Sequence, residues 1–134
     1  MTERIYSDDP YVKEFPEIAV FWDAAERSEL LLPTCIDCGK AHWHPRAFCP
    51  LCGSQRIDWK TASGMGTLYS YSVNRKQEGM PIVAYVQLEE GPMMMSNVVG
   101  VDASALKIDQ ALKVAFRRDE EGRKVPVFAP LTKA

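Results

Sequence analysis

Apolar and polar positions change period along this chain. From Pro16 onward, Ile18, Phe21, Trp22 and Ala25 recur at helical spacing, with Asp23, Glu26, Arg27 and Glu29 on the other face. Pro16 suits a first helical turn, where its missing N–H costs nothing. The pattern predicts a helix from Pro16 to near Leu30. The run Leu30-Leu31-Leu32-Pro33 then reads as an extended strand entering a cysteine-rich segment. Beyond that segment the period shortens to two. Gly66 to Asn74 alternates, with Thr67, Tyr69, Tyr71 and Val73 on one face. Ile82 to Leu88 is a second strand, Glu90-Gly91-Pro92 a turn, and Met93 to Gly100 a third strand. Asp102 to Leu106 reads as a short helical turn with Asp102 or Ser104 as cap. Ala111 to Arg118 is a fourth strand, and Val125 to Phe128 a short fifth, interrupted by Pro126.

Five strands with a short helix between the third and fourth is the order of an OB-fold barrel. The predicted fold is therefore mainly β. It has an N-terminal helical segment over residues 1–32, a rubredoxin-like zinc ribbon over 33–62 and a five-stranded OB-fold barrel over 63–134.

All four cysteines fall within 18 residues, as Cys35-Ile36-Asp37-Cys38-Gly39 and Cys49-Pro50-Leu51-Cys52-Gly53. In an oxidising compartment they would be two disulfides; in a reducing one the paired C-x-x-C spacing points to a tetrahedral metal site. Each pair forms a tight knuckle, and the glycine behind it can take positive φ without penalty. Zinc is the first expectation, and iron in a rubredoxin-like site the alternative, because a set of four sulfurs suits both. Four thiolates fill the coordination sphere, so the site is structural and not catalytic. His42 and His44 lie between the knuckles. They are either extra ligands or side chains packing near Trp43 and Phe48, and four thiols leave no need for a histidine ligand.

Charge is spread unevenly over a formal net of -2: residues 1–30 carry -5, residues 31–62 carry +2 and residues 63–134 carry +1. That is not the basic excess of a nucleic-acid module. The acidic stretch reads as a solvated helix face. No apolar run approaches the ~20 residues needed to cross a bilayer. Residues 1–10 lack the basic start and apolar stretch of a signal peptide. A cytoplasmic protein with no membrane partner is expected.

Several stretches together resemble a known family. They are Phe21-Trp22-Asp23-Ala24-Ala25, Cys35 to Gly53 with His44-Pro45-Arg46 inside it, Gly66-Thr67-Leu68-Tyr69-Ser70-Tyr71, Ser96-Asn97-Val98-Val99-Gly100 and Pro126-Val127-Phe128-Ala129-Pro130. That family joins an N-terminal helix, a four-cysteine zinc ribbon and an OB-fold, and was long catalogued as a domain of unknown function. Its members accompany acyl-CoA enzymes: thiolases, thiolase-like aldolases and hydroxymethylglutaryl-CoA synthase. The resemblance implies a non-catalytic accessory subunit. It would stabilise the partner and help bind the CoA moiety, while the partner supplies the catalytic cysteine and histidines. A hetero-oligomer is implied by analogy.

The residues agree with that division of labour, since the cysteines are committed to metal and no Ser-His-Asp or free Cys-His set remains. The CoA pyrophosphate asks for arginine or lysine beside an apolar groove. Arg46 in the ribbon, and Arg75 and Lys76 before the second strand, are the candidates, against the alternative that each is a solvated surface charge. The competing function is single-stranded nucleic-acid binding, a common use of the OB-fold. It is not favoured, because the second and third strands carry only Tyr85 among aromatics, and Met93 to Val99 has no basic residue.

Overall fold

The computed structural model describes residues 6–131. The chain opens with a 3₁₀ turn, Tyr6–Asp8, and a short helix α1, Pro10–Glu14. Asp9 caps α1 by accepting from the Tyr11 N–H, and Pro10 takes the first position. A second 3₁₀ turn, Pro16–Ile18, leads into helix α2, Ala19–Glu26.

The helix predicted to run to Leu30 is shorter at its C-terminus. It ends in a Schellman motif: Glu29 N–H reaches Ala24 C=O and Ser28 N–H reaches Ala25 C=O, both at 2.9 Å. The left-handed residue there is Ser28, at φ 61°, where glycine is usual. The solvated face holds for Asp23, Arg27 and Glu29, which are exposed, but not for Glu26. Glu26 is buried, hydrogen-bonded by the Tyr6 hydroxyl at 3.0 Å and paired with Arg118. Asp9 is buried too, against Arg123. These two carboxylates tie the N-terminal segment to the barrel.

Strands β1, Leu31–Cys35, and β2, Ile57–Thr61, pair antiparallel, from Leu31 opposite Thr61 to Cys35 opposite Ile57. They carry the cysteine loops at one end. The barrel comprises β3 (Met65–Val73), β4 (Ile82–Leu88), β5 (Met93–Asn97), β6 (Ala111–Arg118) and β7 (Lys124–Pro130), in the spatial order β5-β4-β3-β6-β7. A 3₁₀ turn, Ala103–Ala105, capped by Asp102, sits between β5 and β6. The sheet curls until its outer strands meet: Val98 bridges Phe128 in parallel, and Val99 N–H reaches Phe128 C=O at 2.9 Å. That closure is the OB-fold arrangement expected from the strand order. Both prolines of β7 lie on an outer strand, where the missing N–H breaks no central ladder.

One expected alternation fails. A register shift between Leu68 and Ser70 places a bulge at Tyr69. Ser70 then lies opposite the exposed Tyr85, whereas Tyr71 lies opposite the buried Ala84. The predicted single face of Thr67, Tyr69, Tyr71 and Val73 is thus divided, as an inserted residue requires. The methionine triplet does alternate: Met94 is buried and Met95 is 61% exposed.

One apolar core runs through all parts. Leu68, Val86, Leu112 and Phe128 fill the barrel, Leu30 and Leu32 enter from the ribbon side, and Phe21 enters from α2.

Candidate metal centre and apolar groove

The two cysteine knuckles are near copies of each other. In each, the glycine N–H returns to the first cysteine's C=O: Gly39 to Cys35 at 2.9 Å and Gly53 to Cys49 at 2.8 Å. Both glycines have positive φ, 75° and 82°. Each first cysteine donates its own N–H five residues ahead, Cys35 to Lys40 C=O and Cys49 to Ser54 C=O. Backbone N–H groups also point at sulfur, Cys38 at Cys35 and Leu51 at Cys49, each at 3.4 Å. Asp37 braces the two loops by accepting from Ser54 Oγ and pairing with Arg56 at 2.6 Å.

The four sulfurs of Cys35, Cys38, Cys49 and Cys52 lie within 4.8 Å of one another. The Cys35–Cys52 separation is 3.5 Å and the Cys38–Cys49 separation 3.8 Å. A tetrahedron with metal–sulfur bonds of about 2.3 Å has edges of about 3.8 Å, so the donor set fits one such ion. All four are free thiols, not disulfides. The Cys38 N–H holds the Cys35 thiol down at about 7, against its burial. The Ser54 N–H pulls Cys52 the same way, yet its neighbouring thiols, Cys35 foremost, and burial push it up to about 12. Converging thiols resist losing all their protons together, and a cation removes that resistance. Neither His42 nor His44 belongs to the sulfur cluster. His42 is buried, and burial, then Arg46, lower its pKa.

A groove of 610 Å³ opens where helices, ribbon and barrel meet. Tyr11, Phe21 and Trp22 form its helical wall, and Trp43, His44 and Pro45 its ribbon wall. Met80, Tyr85, Met93 and Met95 come from the barrel side. Aromatic contacts fix this junction: Phe21 meets Trp43 at 4.8 Å between ring centroids, and Tyr6 stacks on Trp22 at 5.6 Å. Of the predicted cations, none lines the groove, but each sits on a loop that does. Arg46 follows Pro45, while Arg75 and Lys76 share with Met80 the loop joining β3 to β4. All three are exposed, and no carboxylate among the described residues pairs with them.

Tyr11, Trp43 and Pro126 were missed as groove residues. The Asp9-Pro10 pair is a helix-start signal that would have placed Tyr11 on α1. Trp43 and Pro126 had no local signal, because only the tertiary fold brings them together. Among the described residues no helix is long and apolar enough to cross a membrane.

Residues 22–58 match the family model for the ChsH2 rubredoxin-like zinc ribbon domain, and residues 59–117 that for the ChsH2 C-terminal OB-fold domain. A probable enoyl-CoA hydratase alpha subunit of Thermomonospora curvata is 33% identical over 118 residues, which is 82% of this chain. The chain spans only 36% of that subunit's length. A DUF35 domain-containing scaffold protein of Methanothermobacter thermautotrophicus is 30% identical over 103 residues, covering 72% of this chain and 77% of the relative. Among solved structures, a chain of an Ltp2-ChsH2(DUF35) aldolase superposes with a TM-score of 0.77 at 30% identity, covering 85% of this chain and 94% of that one. A DUF35 protein of unknown function from Sulfolobus solfataricus shares the fold at 15% identity, with a TM-score of 0.59 over 81% of this chain and 87% of that one.

Proposed function

The chain belongs to the DUF35 family of zinc-ribbon and OB-fold proteins, and from that premise we propose that it is a non-catalytic accessory subunit of an acyl-CoA-processing enzyme. The partner is a thiolase, a thiolase-like aldolase or a related enzyme that forms or cleaves carbon–carbon bonds. The observation that carries this reading is the likeness to the Ltp2-ChsH2(DUF35) aldolase chain, which is matched over 94% of its length.

In this reading Cys35, Cys38, Cys49 and Cys52 hold one zinc ion. The ion is structural: it supplies the folding energy that a loop segment of this size cannot gain from apolar burial. The ribbon in turn presents the Trp43–Pro45 wall of the groove. Arg46, Arg75 and Lys76 meet the phosphates of CoA from the bordering loops, since unpaired guanidinium and ammonium groups suit a polyanion. The small subunit stabilises its partner, and the two share the acyl-CoA. The reaction's nucleophile and bases come from the partner, because this chain's thiols are committed to metal. The nucleic-acid reading gains no support: β4 and β5 carry no lysine or arginine.

A tagged pull-down from the native lysate, read by mass spectrometry, tests the proposal. An acyl-CoA enzyme of the thiolase type retained near equal stoichiometry supports it. Retention of nucleic-acid machinery, or of no such enzyme, overturns it.

A further inference from the structure

We propose that the four-cysteine cluster is a reversible oxidation site, at which a hydroperoxide joins Cys52 and Cys35 in a disulfide and frees the metal ion. This goes beyond the subunit reading. It rests on that reading's metal assignment and not on its partner enzyme.

The four sulfurs are not equally placed. Cys35 is 1% exposed and Cys49 0%, Cys38 is half-buried, and Cys52 is the exposed member of the set. The first cysteine of each knuckle also receives an N–H on its sulfur, Cys35 from Cys38 and Cys49 from Leu51. Such a bond occupies a lone pair that an oxidant would need. Gly53 leaves the flank of Cys52 open, since a Cβ there would meet nothing within 4 Å. Oxidation follows thiolate character and access. Metal coordination requires every ligand sulfur to be a thiolate, so access decides between them. Cys52 is the sulfur attacked.

Distance fixes its partner. Cys35 Sγ lies 3.5 Å away, while Cys38 and Cys49 face each other at 3.8 Å. A disulfide bond is about 2.05 Å long, so the Cys52 and Cys35 sulfurs need to close by about 1.5 Å between them. In the first step the peroxide O–O bond breaks, one oxygen joins the Cys52 sulfur as a sulfenic acid, and the other leaves as hydroxide. In the second, the Cys35 thiolate attacks that sulfur, the S–S bond forms, the S–O bond breaks, and a second hydroxide leaves. Solvent protonates both hydroxides. Two sulfurs lose two electrons in all, and one hydrogen peroxide becomes two waters. Cys38 and Cys49 alone are then left to hold the ion, which departs. The segment between the knuckles carries Trp43, whose ring lies 4.8 Å from that of Phe21, so oxidation loosens the junction of ribbon and helix α2.

The test uses the full chain loaded with zinc and hydrogen peroxide as the oxidant. A chromogenic chelator that leaves the untreated protein loaded reports the freed ion, and mass spectrometry of the intact and digested chain reports the modification. Met95, 61% exposed, serves as an internal competitor through its sulfoxide. One ion is expected to leave per chain as the mass falls by about 2 Da, before Met95 is oxidised, with Cys35–Cys52 as the first disulfide. A dithiol reductant with added zinc should restore the loaded form. Cys52→His keeps a ligand set that zinc accepts and removes the exposed sulfur, so it should slow release by roughly tenfold. Three results would overturn the proposal: metal retained while Met95 oxidises, a first disulfide between any other pair, or release with sulfinic acid at Cys52 and no disulfide. A chain that binds no zinc at all would instead remove the metal assignment on which both readings draw.

Discussion

Arg123 grips Asp9 across 114 positions of sequence, Nε to Oδ2 at 2.9 Å and Nη2 to Oδ1 at 3.1 Å. The Asp9 carboxylate is fully buried and also caps α1, while the guanidinium lies 5.4 Å from the Tyr11 ring centroid. One ion pair thus sets the start of the helical segment against the turn before β7. Arg123→Ala should destabilise the protein by about 3 kcal/mol, because it removes a two-point ion pair from a buried carboxylate. The double variant with Asp9→Asn should recover part of that loss. A urea-unfolding cycle of the four proteins checks it, and additive losses would show that the pair is uncoupled.

Tyr6 ties down the same segment. Its hydroxyl donates to Glu26 and accepts from the Lys124 N–H at 2.7 Å. Burial is the largest cause of its raised pKa, opposed by the Lys124 N–H and reinforced by Glu26. The folded state therefore holds the phenol proton more tightly than the unfolded chain. That contribution to stability is complete below the ordinary value of 10.0 and is lost as pH rises above it through the folded pKa. Thermal melts of wild type should fall above about pH 10, and Tyr6→Phe should flatten that fall while lowering stability at pH 7. Identical alkaline slopes for the two proteins would contradict this.

The four-thiol cluster predicts one tightly held ion per chain, found by native mass spectrometry. A colourless protein means zinc, and a red one iron. Cys49→Ser should weaken metal binding by more than the 10–100-fold typical of changes outside the ligand set. Chelation should deprotect the Cys35 and Cys49 N–H groups to hydrogen exchange, because the knuckles lose their centre. A chain that keeps both knuckles protected without any metal would remove the structural role.

Gly66 occupies a place with no room for a side chain. A Cβ there would lie 2.7 Å from Val86 Cγ1 and 2.8 Å from the Gln87 carbonyl oxygen. Gly66→Ala should cost about 1–3 kcal/mol, from overpacking against backbone that cannot retreat. Urea unfolding reads the loss, and a change below 0.5 kcal/mol would mean that β3 and β4 can separate there.

Removing the charge of Arg46 or Arg75 should reduce CoA affinity of the assembled complex by about tenfold each, the worth of one charge-assisted hydrogen bond. The reduction should shrink as salt rises. Calorimetry on the complex decides it, and unchanged affinity in both variants would assign these side chains to solvent.

The sequence spoke most clearly where one local rule governed. Strand alternation and turn residues placed β4 and β6 at their observed limits, and the paired C-x-x-C spacing singled out sulfurs that the fold brings within 4.8 Å. It spoke less clearly where a distant partner overrode local preference. Glu26 looks like a surface residue until Arg118 arrives from β6 to neutralise it. Ser28 ends α2 in a conformation that serine rarely takes, so no glycine announced the stop. The groove was the least legible feature, because Trp22, Trp43 and Met95 belong to three separate parts of the chain.

The Val98–Phe128 bridge has a consequence for how the protein is made. A nascent chain that has emerged only as far as residue 117 still lacks β7, and with it Arg118, Arg123 and the N–H of Lys124, the groups that receive Glu26, Asp9 and Tyr6. Both cysteine knuckles, by contrast, are complete by residue 54. On the ribosome, then, the ribbon can load its ion while the barrel is still an open sheet. The helical segment makes these three contacts only once residues 118–124 have followed.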